Sequence, residues 1–145
     1  MRTPASIARH PIHPMLVPIP IGLWIFSLVC DLLFVFGAGA THWATVSFWT
    51  MLGGLAGALL AALPGIIDML SLNGAPKKLA LVHMGINVTV VVLYAMNFGM
   101  RLNGGAIAGL PLIFSVAGVC LLAVSGWIGG HMVYVHHVAV DDRKG

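Results

Sequence analysis

The sequence predicts an all-α integral membrane protein: a four-helix bundle with short loops and both termini in the cytoplasm. Three observations carry this. The 145 residues have a mean hydropathy of +1.00, with 59% hydrophobic and 8% charged residues. A soluble domain carries about 25% charged residues, so this chain cannot cover a water-facing surface. Four apolar segments each reach the roughly 20 residues that a spanning helix needs. The basic residues also fall unevenly between the two sides those segments define.

The first span is expected over about 18–36, ending at Gly37-Ala38-Gly39. Pro11, Pro14, Pro18 and Pro20 crowd its start, and no small-residue cleavage site follows, so it does not read as a removable signal. The second span is expected over about 44–72. Gly53, Gly57, Ala61 and Gly65 recur every fourth residue, a track that lets helix backbones approach closely. At 100° per residue Asp68 shares a broad face with Gly57, Ala61 and Pro64, which points it into the bundle. Pro64 is expected to kink the helix and free a carbonyl near the site.

The third span, about 79–101, carries a polar stripe of His83, Asn87, Tyr94, Asn97 and Arg101 on one line of the helical wheel. Lipid rejects such a line, so it should face inward. Asn87, Tyr94 and Asn97 read best as hydrogen-bonding glue between helices. The fourth span is expected over about 107–138. Trp127, His131 and Tyr134 share one face, and His136 lies roughly 140° from His131, with Ser125, Gly129 and Met132. Both histidines reach one centre only if the helix breaks between them, and Gly129-Gly130 is the expected weak point. His137 reads as interfacial.

Four spans and short loops make antiparallel neighbours and one membrane domain over 1–145. The side holding both termini carries Arg2, Arg9, Lys77, Lys78, Arg143 and Lys144, against only Arg101 on the other, which puts the termini in the cytoplasm. Asp31 and Arg101 fall in the outer half and are expected to pair across spans 1 and 3. His42 reads as a solvated loop residue, and the four tryptophans as interfacial belts or core. Cys30 and Cys120 form no CxxC or disulfide framework and read as small core residues. The net charge of +3 is spread over loops, and no nucleic-acid motif appears.

The run HPIHP brings His10 and His13 to the threshold of the first span. Each precedes a proline, which favours extended or polyproline geometry, with the two rings pointing the same way roughly 9 Å apart. His83 lies five residues past Lys78, or about 7 Å into the apolar layer, and His136 lies five before Asp141. Asp68 falls at the same level. A metal site of His10, His13, Asp68, His83 and His136 at the cytoplasmic side is therefore expected. His83 with His136, or with His131, is the natural axial pair for haem b, with Asp68 or Asn87 behind an imidazole. The alternatives are a non-haem Fe, Cu or Zn site, or a non-catalytic membrane subunit for assembly or for proton or small-solute transport. The plain reading is interfacial histidines that anchor helix ends. No hydrolase triad or nucleotide loop is visible.

Taken together, HPIHPMLVPIPIGL at 10–23, AALPGIIDML at 61–70, LVHMGIN at 81–87 and SGWIGGHMVYVHHVAV at 125–140 resemble a small prokaryotic membrane family, domain of unknown function 2231. The resemblance covers nearly the whole chain. It implies a four-span protein of the inner membrane and, since some relatives look fused to a Rieske-type iron–sulfur domain, an electron-transfer partner. Relatives commonly read HFPIG where this chain has PIPIG at 18–22, so Pro18 replaces a usual histidine. The family pattern favours His136 over His131. The small-residue faces of spans 2 and 4 also suit a homo-oligomer in the bilayer.

Overall fold

The structure is a computed structural model that describes residues 3–8, 10–38 and 41–140. Four helical segments are long and apolar enough to cross a membrane: Ile12–Gly37, Thr41–Ser71, Gly74–Leu102 and Leu110–Tyr134. The first is a short helix α1 (Ile12–Leu16), then α2 (Pro18–Leu33), closed by a π-helical turn over Phe34–Ala38. The others are α3 (Thr41–Ser71), α4 (Gly74–Leu102) and α5 (Leu110–Tyr134). Helix α2 packs chiefly on α3 and α4 chiefly on α5, so two helical hairpins lie side by side.

The three largest differences in boundary from the sequence expectation are these. The first span starts at Ile12, because Pro14 falls in the first turn of α1, where a missing N–H is tolerated. The third starts five residues early, since Pro76, Lys77 and Lys78 all lie within α4. The fourth ends at Tyr134, four residues early. There the chain reverses through His137 and Ala139, both in the left-handed region (φ 51° and 64°), and Val138 N–H caps the Met132 carbonyl at 3.1 Å.

Outward faces carry the apolar residues that lipid demands, among them Leu59, Leu63, Ile66 and Leu70 on α3. The buried line of α3 is Ser47, Met51, Gly54, Gly57, Ala61, Pro64 and Asp68, so small residues do line its inward face. Lipid tails are as apolar as leucine, and helices in a bilayer associate through close packing and polar contacts. The core shows both. Trp24 and Tyr94 stack at 4.3 Å with their rings parallel to within 1°. Each also finds a partner for its polar atom: Trp24 Nε1 donates to Met51 O at 3.2 Å and Tyr94 Oη donates to Ser115 O at 3.3 Å. Such stacks contribute roughly 0.5–1.5 kcal/mol beyond burial. Met51, Val90 and Leu122 complete this central layer. Cys30 is buried as expected, whereas Cys120 faces outward.

Glycine makes the stack possible. A Cβ on Gly54 would stand 2.3 Å from Trp24 Nε1, and one on Gly118 2.6 Å from Tyr94 Cε2. Gly54→Ala should therefore destabilise the bundle by about 1–3 kcal/mol, the usual cost of overpacking. Gly22→Ala, where a Cβ meets nothing within 4 Å, should stay within about 0.5 kcal/mol of the parent. Unfolding of both variants in detergent micelles measures the difference.

Candidate functional site

Two polar layers flank the aromatic centre, one at each end of the bundle. The layer at the end opposite the termini is built on Asp31, which is fully buried. Arg101 grips it two-pronged, with Nη1 to Oδ1 at 2.8 Å and Nη2 to Oδ2 at 2.6 Å, and is itself only 4% exposed. Ser47 Oγ also donates to Oδ1, and Ser115 Oγ to Oδ2 at 3.2 Å. Arg101 Nε donates to Asn97 Oδ1, and Asn97 Nδ2 reaches Ser115 Oγ and the Pro111 carbonyl, all at 2.8 Å. Ser27 joins through Ser47. The Asp31–Arg101 pair expected from the sequence is thus the centre of a network drawing on α2, α3, α4 and α5. The serines escaped the sequence reading because a lone serine in an apolar span carries no period of its own. Their signal was the need of a buried carboxylate for more donors than one guanidinium supplies.

The layer at the terminal end holds the histidines. His13, on α1, sends Nδ1 to the Ala61 carbonyl of α3 at 2.8 Å. Its ring lies against Gly65, where a Cβ would stand 2.8 Å from Nδ1. This is not the carbonyl expected to be freed: Pro64 lacks the N–H that would bond to the Leu60 carbonyl, whereas His13 uses the neighbouring Ala61 carbonyl. His83, on α4, sends Nδ1 to the Ser125 carbonyl of α5 at 3.0 Å and lies 2.9 Å from Ser125 Oγ. Asn87 braces this contact, donating Nδ2 to Ser125 Oγ at 2.7 Å and to the His83 carbonyl at 2.8 Å. A carbonyl only accepts, so Nδ1 is the donor in both contacts, and the neutral tautomer that fits them has its lone pair on Nε2. The two rings stand 6.4 Å apart between centroids, with their planes at 89°.

Several expectations need correction. His13 is helical, not extended, because its bond to Ala61 and its seat against Gly65 hold it in α1. His10 lies instead in a two-residue antiparallel hairpin, Ser6–Ile7 with His10–Pro11, exposed and bonded to its own Ala8 carbonyl at 3.0 Å. Asp68 has a backbone partner: its Oδ1 accepts the Ala5 N–H at 2.8 Å and fastens the N-terminal strap under the bundle. His136 does not pair with His83. The helix ends before it, and the turn folds its ring onto His131, 5.4 Å away. The break that brings these two together falls after Tyr134, not at Gly129-Gly130. Among the described residues no three His, Cys, Asp or Glu side chains gather as one metal-holding group, so the five-residue cluster is not formed. Asn87, Tyr94 and Asn97 do bond to α5, as glue.

Four apolar helices, buried polar clamps and an apolar perimeter define a four-span helical membrane protein. Within that class, the chain belongs to the family of predicted membrane proteins DUF2231, whose model matches residues 9–142. No curated protein and no solved structure gives a significant match.

Removing one partner of a buried ion pair strands a charge, at a cost of about 3–5 kcal/mol, whereas apolar replacement of both is far milder. Arg101→Met should lose stability in that range, and adding Asp31→Leu should recover more than half of the loss. Unfolding of the two variants and the double variant in micelles checks the sign.

Proposed function

We propose that this chain is a redox-linked protein of the prokaryotic inner membrane that holds haem b between His13 and His83, near its cytoplasmic face. The observation that carries the reading is the His13–His83 pair: two backbone-anchored imidazoles from different helices, 6.4 Å apart with their planes nearly perpendicular. A metal–nitrogen bond is about 2.0 Å, so an ion lies about 3.2 Å from the centroid of a ligating imidazole. Two rings at 6.4 Å are spaced so that His13 and His83 would together hold one haem iron between them.

The donor set supports the same choice. Two nitrogens do not complete a protein-only site, and no further His, Cys, Asp or Glu joins them among the described residues. Haem would bring the remaining nitrogens itself. Both imidazoles are held through Nδ1, which fixes the tautomer and orients Nε2, as ligating histidines require. Gly65 and Gly129 leave room for the rings, since a Cβ on Gly129 would stand 3.4 Å from His83 Cε1. Haem would supply one-electron chemistry; the chain's own part is to aim two imidazoles and to exclude water with the apolar layer above them.

The six-to-one imbalance of basic residues supports a cytoplasmic position for this end. Proton or solute passage gains less support, because the stacked Trp24 and Tyr94, with Met51 and Val90, fill the layer between the two polar ends.

Protein purified in mild detergent with haem available during expression should show a Soret band and a reduced α-band. Both should vanish in His13→Ala and in His83→Ala and persist in His136→Ala. Gly65→Ala should weaken them by about tenfold in occupancy, the lower range for disturbing a ligand's supporting contacts. A colourless wild-type protein, or a spectrum insensitive to His13 and His83, would overturn the assignment.

A further inference from the structure

We infer that His131 and His136 form a second metal-binding site, separate from the His13–His83 pair, which chelates a divalent transition-metal ion of the zinc and copper class. These rings stand 5.4 Å apart between centroids, with planes at 76°. With an ion about 3.2 Å from each centroid, this separation subtends about 115°, close to the tetrahedral angle zinc adopts. The two pairs therefore differ in kind: one spacing suits opposed ligands, the other adjacent ligands on one small ion.

The site is held by backbone geometry. His131 closes the last turn of α5, and its own carbonyl accepts the Val135 N–H at 3.0 Å. The chain then reverses, and the Val138 N–H returns to the Met132 carbonyl. Val138 is buried against Leu72, Ala80 and Met132, which pins the turn carrying His136. Two imidazoles are thus presented five residues apart with little freedom left to lose. His131 is exposed and His136 half-buried, so neither ring is closed off inside the bundle. Trp127 and Tyr134, 82% and 83% exposed on the face of His131, place the site at the headgroup level where aromatic belts lie. Imidazole suits Zn and Cu, and two nitrogens leave coordination positions for water. An ion here would staple the C-terminal turn to α5.

The test uses the full chain, free of any affinity tag, in detergent micelles. Cu(II) titration followed by electron paramagnetic resonance should give one ion per chain with hyperfine structure from two imidazole nitrogens, and Zn(II) should compete for it. His131→Ala and His136→Ala should each weaken binding by about tenfold or more, a change of one decade in Kd. His83→Ala should leave it unchanged. Circular dichroism of each variant verifies the fold, and Zn(II) should slow proteolysis within 135–140 in the wild type and in His83→Ala but in neither His131→Ala nor His136→Ala. Unaltered affinity in both span-4 variants, or binding that disappears with His83, would overturn the site. Neither result depends on the haem bands, which report only His13 and His83.

Discussion

A carboxylate and a guanidinium buried together in an apolar bundle must stay matched, and this requirement organises the molecule. Asp31 has no water to turn to, so it needs Arg101, Ser47 and Ser115 at once. Those groups come from three other helices. Sliding any helix by one turn, about 5.4 Å, would leave a charge or a hydroxyl stranded in a medium where each unpaired polar group costs several kcal/mol. The clamp therefore fixes register and rotation together. Once Arg101 is committed, the 100° period of α4 turns Asn97, Tyr94, Asn87 and His83 towards α5. The position of His83, 18 residues or about 27 Å along the helix, follows from a contact at the opposite end.

Between the ends, packing does what charge cannot. Gly54 and Gly118 let two large rings stack in the middle of the bundle, and the rings keep the polar layers apart. The terminal layer thus has an apolar layer above it. The N-terminal strap closes part of it from beneath, held by Asp68 through the Ala5 N–H and by the Ile12 N–H on the Ala5 carbonyl at 3.0 Å. The strap leads directly into α1, so the segment that covers this end also delivers His13.

Much of this was legible in the sequence, for physical reasons. Lipid enforces apolar length, so the four spans stand out. It also rejects polar stripes, so the inward face of α4 could be read from His83, Asn87, Tyr94, Asn97 and Arg101 by angle alone. Asp31 and Arg101 could be paired because each is intolerable alone at that depth. What could not be read depends on partners distant in sequence. His13 is helical although it precedes Pro14, a local preference that the Ala61 carbonyl and Gly65 outweigh. Asp68 seemed to aim at the histidines because counting gives depth and face but not the strap that reaches it first. His136 was placed on α5 because the apolar run continues past Tyr134, whereas the Val138–Met132 contact ends the helix.

The two histidine pairs differ in what they depend on. His13 and His83 are 70 residues apart in sequence and meet only if α1, α3, α4 and α5 are correctly assembled, since Ala61 and Ser125 hold the rings. Ligation there would be coupled to the whole bundle: whatever favours the bound geometry would also favour the folded state. His131 and His136 are five residues apart, on one helix end and its turn. Their ligation would draw chiefly on local closure, with Val138 packed on Leu72 and Ala80. Disturbance of the Asp31–Arg101 clamp would reach the first pair through the register of α4, while the second would feel it only where Val138 rests on Leu72 and Ala80. A molecule this small can therefore hold two imidazole pairs at one end and still respond separately at each.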